Sequence, residues 1–536
     1  MSVIRDNGAS RIVIGLLIIA LAAGLRFYAM TDAYVWYDEA FSVWISALTP
    51  QAIWFHTGRD VHPPLYYLVL HVWMGWFGNS PLAIRSLSAI AGTLTVALCM
   101  VAMRRIANDR AAAISGVFLA MFPAAVRLSQ EARMYALEGL FLVGATVALV
   151  YWVKRAGHYA YCLAYAACMV AALYTHYYAI LAAVVHWLYL IVLRLHPSVR
   201  APHVTAATWW ACNGLIALAY IPWLISLVDL IRHYALIEAA GSVAWLDVGT
   251  VYTLPGTLWK FFTLKSSLGS SVLGYWSMPF AVVLITAWVV WRDRTKYRFS
   301  LLLALFSFIP MGLLFCLSLL MPAYLERYVA FSAVGVPMLL AVAVAGLSEK
   351  RLALAALLFV AVIGLEWVGL KVTYRQQGEM GYVKSAEITR LQDAFDYIHA
   401  HRREGDIIVV GGGFFYFSAV FYNRTDQGMY LYDPPVFRAT GNRPSGYGAS
   451  TLMYDTWDDH HLDDVDALPA GTRRMWWLTG NPHLDVYIPY RGKWQPVDEF
   501  PAGELNLRLY QAALAPTGAG CPPAPSALDG LGRYRD

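Results

Sequence analysis

HPPLYYLVLHVWMGWF, residues 62–77, decides how the chain is threaded. The run is apolar but short, opens on a His-Pro-Pro turn and carries His71. A helix that crosses a bilayer needs about 17–25 apolar residues, so this one reads as lying in or dipping into a single leaflet. Its parity matters for everything downstream. Left uncrossed, it puts Arg104, Arg105, Arg110, Lys154, Arg155, Arg194, Arg200, Arg292, Arg294, Lys296, Arg298, Lys350 and Arg351 on the same side as the N-terminus. Basic residues crowded into short loops mark the cytoplasmic face.

Outward from that stretch, eleven longer apolar runs read as spans: approximately 12–30, 82–103, 111–128, 136–153, 159–175, 177–195, 207–231, 272–291, 299–321, 326–347 and 352–371. Of the 536 residues 59% are hydrophobic and 14% charged, against about 25% charge in soluble domains, which excludes a soluble fold. The net charge of +5 is small and serves to orient helices; it gives no footing for nucleic acid. Arg5 and Arg11 precede the first run, whose Ala20-Leu21-Ala22 resembles a cleavage site. The apolar run continues past it, so an uncleaved anchor is expected. Five cysteines (Cys99, Cys162, Cys168, Cys212, Cys316) lie in apolar runs and Cys521 in the tail, with no disulfide or metal spacing.

The expected architecture is an α-helical polytopic membrane module over residues 1–371 with a long first outer loop, 31–81, followed by a small extracytoplasmic α/β domain, 372–515. In the latter, AEITRLQDAFDYIHAHRR (386–403) has the period of an amphipathic helix and IIVV after Asp406 that of a strand. Gly411–Gly413 has neither of the phosphate-loop spacings and reads as turn chemistry. The segments 433–442 and TWDDHHLDDVD (456–466) read as loops or acceptor-facing surface, and the Pro/Ala/Gly-rich tail 516–536 as disordered.

With that threading, WYDEAFS (Asp38, Glu39), DVHPPLYY (Asp60, His62, Tyr66), SQEARMY (Glu131, Arg133, Tyr135), THYY (His176) and ERY (Glu326, Arg327) all fall on the outer side. Charged groups at the hydrocarbon boundary pair with one another or face a cavity. Adjacent carboxylates offer a base for a hydroxyl, and two arginines offer fixed forks for phosphate oxygens. Together they suggest an attacking hydroxyl opposite a lipid-phosphate leaving group. Plainer readings stand beside these. Glu131 and Arg133 also read as an interfacial salt bridge, Glu326 and Arg327 as a snorkelling pair, and His176 as the cap of a hairpin. His71, His186 and Glu366 read as structural. Asp38, Asp60 and His62 lack a metal-ligand spacing, so no metal is expected.

The order of these motifs over residues 10–350 resembles the GT-C glycosyltransferases, specifically bacterial family-39-like enzymes related to protein O-mannosyltransferases and lipid A aminoarabinose transferases. The resemblance implies Asp38 as catalytic base with Glu39 beside it, and Arg133 and Arg327 on the donor phosphate. Asp60, His62, Tyr66, Glu131, Tyr135 and His176 become candidates for positioning substrate. The implied reaction is inverting transfer of a sugar from a polyprenyl-phosphate donor to a hydroxyl of a lipid, glycan or protein, without a cofactor. Its place is the periplasmic face of a bacterial inner membrane, with the polyprenyl tail in a groove between spans. A lipid-linked glycan ligase or polymerase, and a transporter or flippase, are the alternatives. A transporter is expected to show paired halves and charge at the midplane; neither is visible here.

Overall fold

The computed structural model describes residues 8–155, 159–195, 204–239, 246, 248–266, 272–380, 389–425, 427–434, 446–480 and 493–513. The tail 516–536, Cys521, Arg200, the first residues of the 386–403 helix and most of 433–442 lie outside them.

The membrane body is a helix bundle, in chain order α1 (Gly8–Phe27), α2 (Tyr37–Ala47), α3 (Pro50–Thr57), α4 (Leu65–Phe77), α5 (Pro81–Ile106), α6 (Asp109–Met121), α7 (Pro123–Ser129), α8 (Tyr135–Lys154), α9 (Tyr159–Leu173), α10 (Ile180–Leu195), α11 (Ala206–Arg232), α12 (Tyr234–Ala239), α13 (Thr253–Thr263), α14 (Val272–Arg292), α15 (Phe299–Ser318), α16 (Ala330–Ala333), α17 (Gly335–Ser348) and α18 (Leu352–Tyr374). Nine of the described helical segments are long and apolar enough to cross a membrane. Two more expected spans have a particular form. The run at 111–128 is a pair, α6 and α7, bent by 57°, because Pro123 supplies no N–H to continue the helix. Arg26 donates to Leu119 O and Ala120 O, carbonyls that this break leaves open, and to Ala22 O. The run at 159–175 forms the shorter apolar helix α9.

The 62–77 stretch does not cross. Its helix α4 has 13 residues, about 20 Å of rise against a hydrocarbon core of about 30 Å. Arg85, at the start of α5, donates to Met30 O, Ala33 O and Tyr34 O just beyond α1. The loop therefore leaves and re-enters the bundle at one end. At the other end Arg104 and Arg11 both reach Asp109, and Arg110 reaches Ser348. The basic loops thus gather opposite the polar motifs.

The C-terminal domain holds α19 (Leu391–His401) and α20 (Gly413–Tyr422) against a six-stranded sheet, β1 (Ile407–Gly411), β2 (Met429–Tyr432), β3 (His461–Leu462), β4 (Arg474–Thr479), β5 (Trp494–Ala502) and β6 (Leu505–Ala512). Strand order is β3-β2-β1-β4-β6-β5; the first four run parallel, β6 pairs antiparallel with β4, and β5 pairs antiparallel with β6. Leu391, Ala394, Phe395 and Ile398 form the buried stripe of α19, the period of an amphipathic helix. Gly412, at φ 135°, makes the strand-to-helix turn after β1 that other residues rarely adopt. The TWDDHHLDDVD segment is more ordered than a loop: Trp457–His460 is a short helix and His461–Leu462 the edge strand β3.

Candidate functional site

At about 100° per residue, neighbours on α2 point to different partners. Glu39 turns into the body and is fully buried. Arg85 grips it with two parallel bonds, Nε to Oε1 at 2.7 Å and Nη2 to Oε2 at 2.6 Å, and the Ala132 N–H adds a third at 2.8 Å. Asp38 turns into a cleft and keeps 19% of its side-chain surface. Its Oδ2 lies 3.3 Å from Arg327 Nη1 and 3.8 Å from Arg133 Nε. Arg133 is anchored through Nη1 to Asp38 O at 3.3 Å and Ser42 Oγ at 3.1 Å. Arg327 comes from the 3-10 turn Glu326–Val329, its guanidinium over the rings of Trp36 and Tyr135, each at 5.7 Å. Glu326 pairs instead with Lys260 at 2.5 Å, so Glu326 and Arg327 are not each other's partner.

Around this pair the structure brings together most of the remaining candidates. Tyr135 packs on His176 at 5.8 Å between centroids, and His176 on His62 at 5.7 Å. His62 Nδ1 lies 3.5 Å from Asp60 Oδ2. Both histidines lie outside the spans. Burial lowers the pKa of each, and Arg133 lowers both further, while Asp60 works the other way on His62. Glu131 stands apart, 2.8 Å from Arg127, its carboxyl pushed up by burial against the pull of Arg127. Tyr66 is buried, its ring against Tyr67 at 5.6 Å. Of the residues set aside as structural, His71 meets Ser46 O and His186 meets Thr146 and Tyr165. Glu366 is buried with neither carboxyl oxygen hydrogen-bonded.

Four site residues escaped the sequence reading. Arg85 closes the Glu39 pair, and a lone cation one turn into an apolar helix was the signal for it. Glu138 Oε1 lies 3.5 Å from His176 Nδ1, a nitrogen that also accepts the Tyr178 N–H. Trp36 Nε1 and the Tyr67 hydroxyl are buried without a hydrogen-bond partner, as are the Tyr135 hydroxyl, Arg133 Nε and Arg327 Nε and Nη1. Unpaired buried donors are costly, about 1–3 kcal/mol each, so they mark where a ligand or water belongs. Among the described residues, no three His, Cys, Asp or Glu side chains gather as a metal site.

Over nearly its whole length this arrangement superposes on solved structures. ArnT from Cupriavidus metallidurans bound to undecaprenyl phosphate matches at TM-score 0.62 and 12% identity, covering 93% of this chain and 98% of that one. The chain has the GT-C glycosyltransferase fold. The archaeal oligosaccharyltransferase AglB from Archaeoglobus fulgidus, in complex with an inhibitory peptide and a dolichol-phosphate, matches this fold at TM-score 0.56 and 12% identity, over 87% of this chain and 69% of AglB. Residues 61–226, from the His62 turn through His176, match the family model of dolichyl-phosphate-mannose-protein mannosyltransferases. No curated protein matches the sequence significantly. The GT-C resemblance read from the motifs therefore holds for the fold and for the helical body with its C-terminal sheet domain.

Proposed function

We propose that the protein is a membrane glycosyltransferase that moves a sugar from a polyprenyl-phosphate donor to a hydroxyl of a lipid, glycan or protein, with inversion, at the periplasmic face of a bacterial inner membrane. The observation that carries this reading is a single accessible carboxylate, Asp38, within 3.3 and 3.8 Å of two buried arginines whose N–H groups are not all used. A guanidinium forks onto carboxylate and phosphate alike. In the resting site Asp38 stands where a phosphate would share the arginines. When a donor phosphate takes its place on Arg133 and Arg327, Asp38 is left facing the acceptor. It then accepts the acceptor hydroxyl's proton as the oxygen attacks the anomeric carbon. The bond from that carbon to the phosphate oxygen breaks, and the charge developing on the phosphate is met by the two arginines. These cations do the work a divalent metal would otherwise do, so no cofactor enters the reading.

Three further observations support it. The basic loops lie at the end opposite the site, as the cytoplasmic face requires. Beside Tyr135 lies a mostly apolar cavity lined by Val96, Leu119, Leu128, Phe331 and Val334, with Arg26, Thr95 and Ser129 on its polar side, a place for the start of a polyprenyl tail. His62, His176 and Tyr135 form one wall leading from Arg327 to Asp60 and are placed to hold the sugar. Glu39, with both oxygens engaged by Arg85 and the Ala132 N–H, positions α2.

The test is release of undecaprenyl phosphate when the purified protein meets a panel of undecaprenyl-phosphate sugars and hydroxyl acceptors. Asp38→Asn is expected to bind undecaprenyl phosphate and not to turn over. Wild-type turnover by Asp38→Asn would remove Asp38 as the base.

A further inference from the structure

Three faces of α2 meet three different partners. Glu39, Val43 and Ser46 share one face, Asp38, Ser42 and Ile45 another, and Tyr37, Phe41 and Trp44 a third. The Glu39 face is sealed on Arg85 and Ala132, and the Asp38 face meets Arg133 and Arg327. The aromatic face packs on α20 of the C-terminal domain. The Phe417 ring lies edge-on to Tyr37 at 4.9 Å, to Trp44 at 5.3 Å and to Phe41 at 5.5 Å. Phe414 stacks on Tyr37 at 6.1 Å. At the far end of α20 the Tyr422 hydroxyl accepts the N–H of Val35, two residues before α2 begins, at 2.9 Å.

An 11-residue helix whose N-cap, Trp36, makes no side-chain cap bond has little stability of its own. Its position is set by what packs on it. Two faces belong to the membrane body, and the aromatic one is gripped by a domain that follows it by more than 300 residues. We propose that Phe417 is a positioning residue: with Phe414 and Tyr422 it clamps α2 against the membrane body and thereby holds Asp38 at the two arginines. The clamp gives the C-terminal domain a part in the reaction that needs no contact with the reacting atoms. It rests on the reading of Asp38 as the base, because it acts through that residue. A misplacement of about 1 Å at a reacting group costs about a hundred-fold in rate, so a loosened α2 is felt as lost turnover.

The experiment compares full-length Phe417→Ala with Phe417→Tyr, which keeps the ring. Amide exchange is followed across residues 37–47 and across the membrane body, together with affinity for undecaprenyl phosphate and turnover on the donor panel. For Phe417→Ala, exchange across 37–47 is expected to rise about ten-fold while the rest of the bundle stays protected. Affinity for undecaprenyl phosphate should fall only about three-fold, because Arg133 loses its anchors on α2, Asp38 O and Ser42 Oγ, while Arg327 is carried by the Glu326–Val329 turn. The kcat should fall about 10–100-fold with little change in donor KM. Phe417→Tyr should restore all three. Unchanged exchange across 37–47 overturns the clamp, whatever turnover does. Exchange rising throughout the bundle, or lipid affinity lost in step with kcat, makes Phe417 a general packing residue and also overturns it. Exchange and affinity decide the clamp without any donor being turned over. If Asp38→Asn keeps full turnover while Phe417→Ala frees 37–47, the base reading has failed and the clamp has not.

Discussion

Asp38 and Glu39 are neighbours in sequence, identical in chemistry apart from one methylene, and sit in opposite kinds of surroundings. At Glu39 every group is used. Arg85 engages all five N–H donors of its guanidinium, two on the carboxylate and three on Met30, Ala33 and Tyr34 carbonyls. At Asp38 the partners are longer, the carboxylate is partly open, and the arginines and tyrosines around it keep unpaired donors. A saturated ion pair is a strut; an unsaturated one is prepared for a ligand. What separates the two roles is hydrogen-bond satisfaction, which residue type alone does not reveal.

The largest effect that sharpens this contrast belongs to the strut. Glu39→Ala leaves the Arg85 cation buried and unpaired, a loss of about 3–5 kcal/mol. It should appear as lost folded protein and a lowered midpoint of thermal unfolding in detergent. A well-folded but inactive Glu39→Ala protein would instead make Glu39 part of the chemistry. Next comes Asp38→Asn, expected to lower turnover by about 10²–10⁴ while destabilising the fold less than Glu39→Ala does, because its contacts with Arg133 and Arg327 are longer and partly open to solvent. The reverse pattern, a stability loss with turnover kept, would exchange the two assignments. Third, Arg327→Ala removes a charged donor from the leaving-group side and should weaken undecaprenyl phosphate binding about 10–100-fold, measured by titration in detergent. Unchanged affinity would return Arg327 to a purely structural part.

The same contrast explains what the sequence could tell. The spans were legible because apolar length is a one-dimensional property; the exceptions were local, the α6–α7 break at Pro123 and the 15-residue α9. The threading of 62–77 was legible from length and flanking charge, and the Arg85 bonds to residues 30–34 show why it works: the first loop returns to the end it left. That Asp38, Arg133 and Arg327 converge followed from their shared side of the membrane. That Glu39 is consumed by Arg85, and Glu131 by Arg127, did not, because pairing depends on which way each helix is rotated. A side chain moves about 100° around α2 between positions 38 and 39. Nor did the sequence disclose α20 on the aromatic face of α2, a contact between residues more than 300 positions apart. The two-residue strand β3 was too short to carry any alternation.

The smallest expected effect concerns the histidines on the open side. His62 and His176 are held below the ordinary histidine pKa, chiefly by burial. The unfolded chain, titrating near pH 6.5, therefore takes up protons that the folded site refuses. Their contribution to stability is complete above about pH 6.5 and is lost as pH falls below it, at up to about 1.4 kcal/mol per pH unit for each histidine. Glu131, raised by burial, works in the opposite sense as pH rises through the carboxylate range, and it is common to wild type and variant. Thermal unfolding between pH 5 and 8 should show wild type weakening on the acid side and His176→Asn weakening less, the difference growing as pH drops. Parallel curves would overturn the lowered pKa, and a difference that grows instead as pH rises above about 6.5 would mean that His176 is protonated at neutral pH in the folded protein, its charge held by Glu138 at 3.5 Å. The wall beside Arg327 would then present a third cation to the phosphate, and the open side of α2 would be more strongly charged than its two arginines make it.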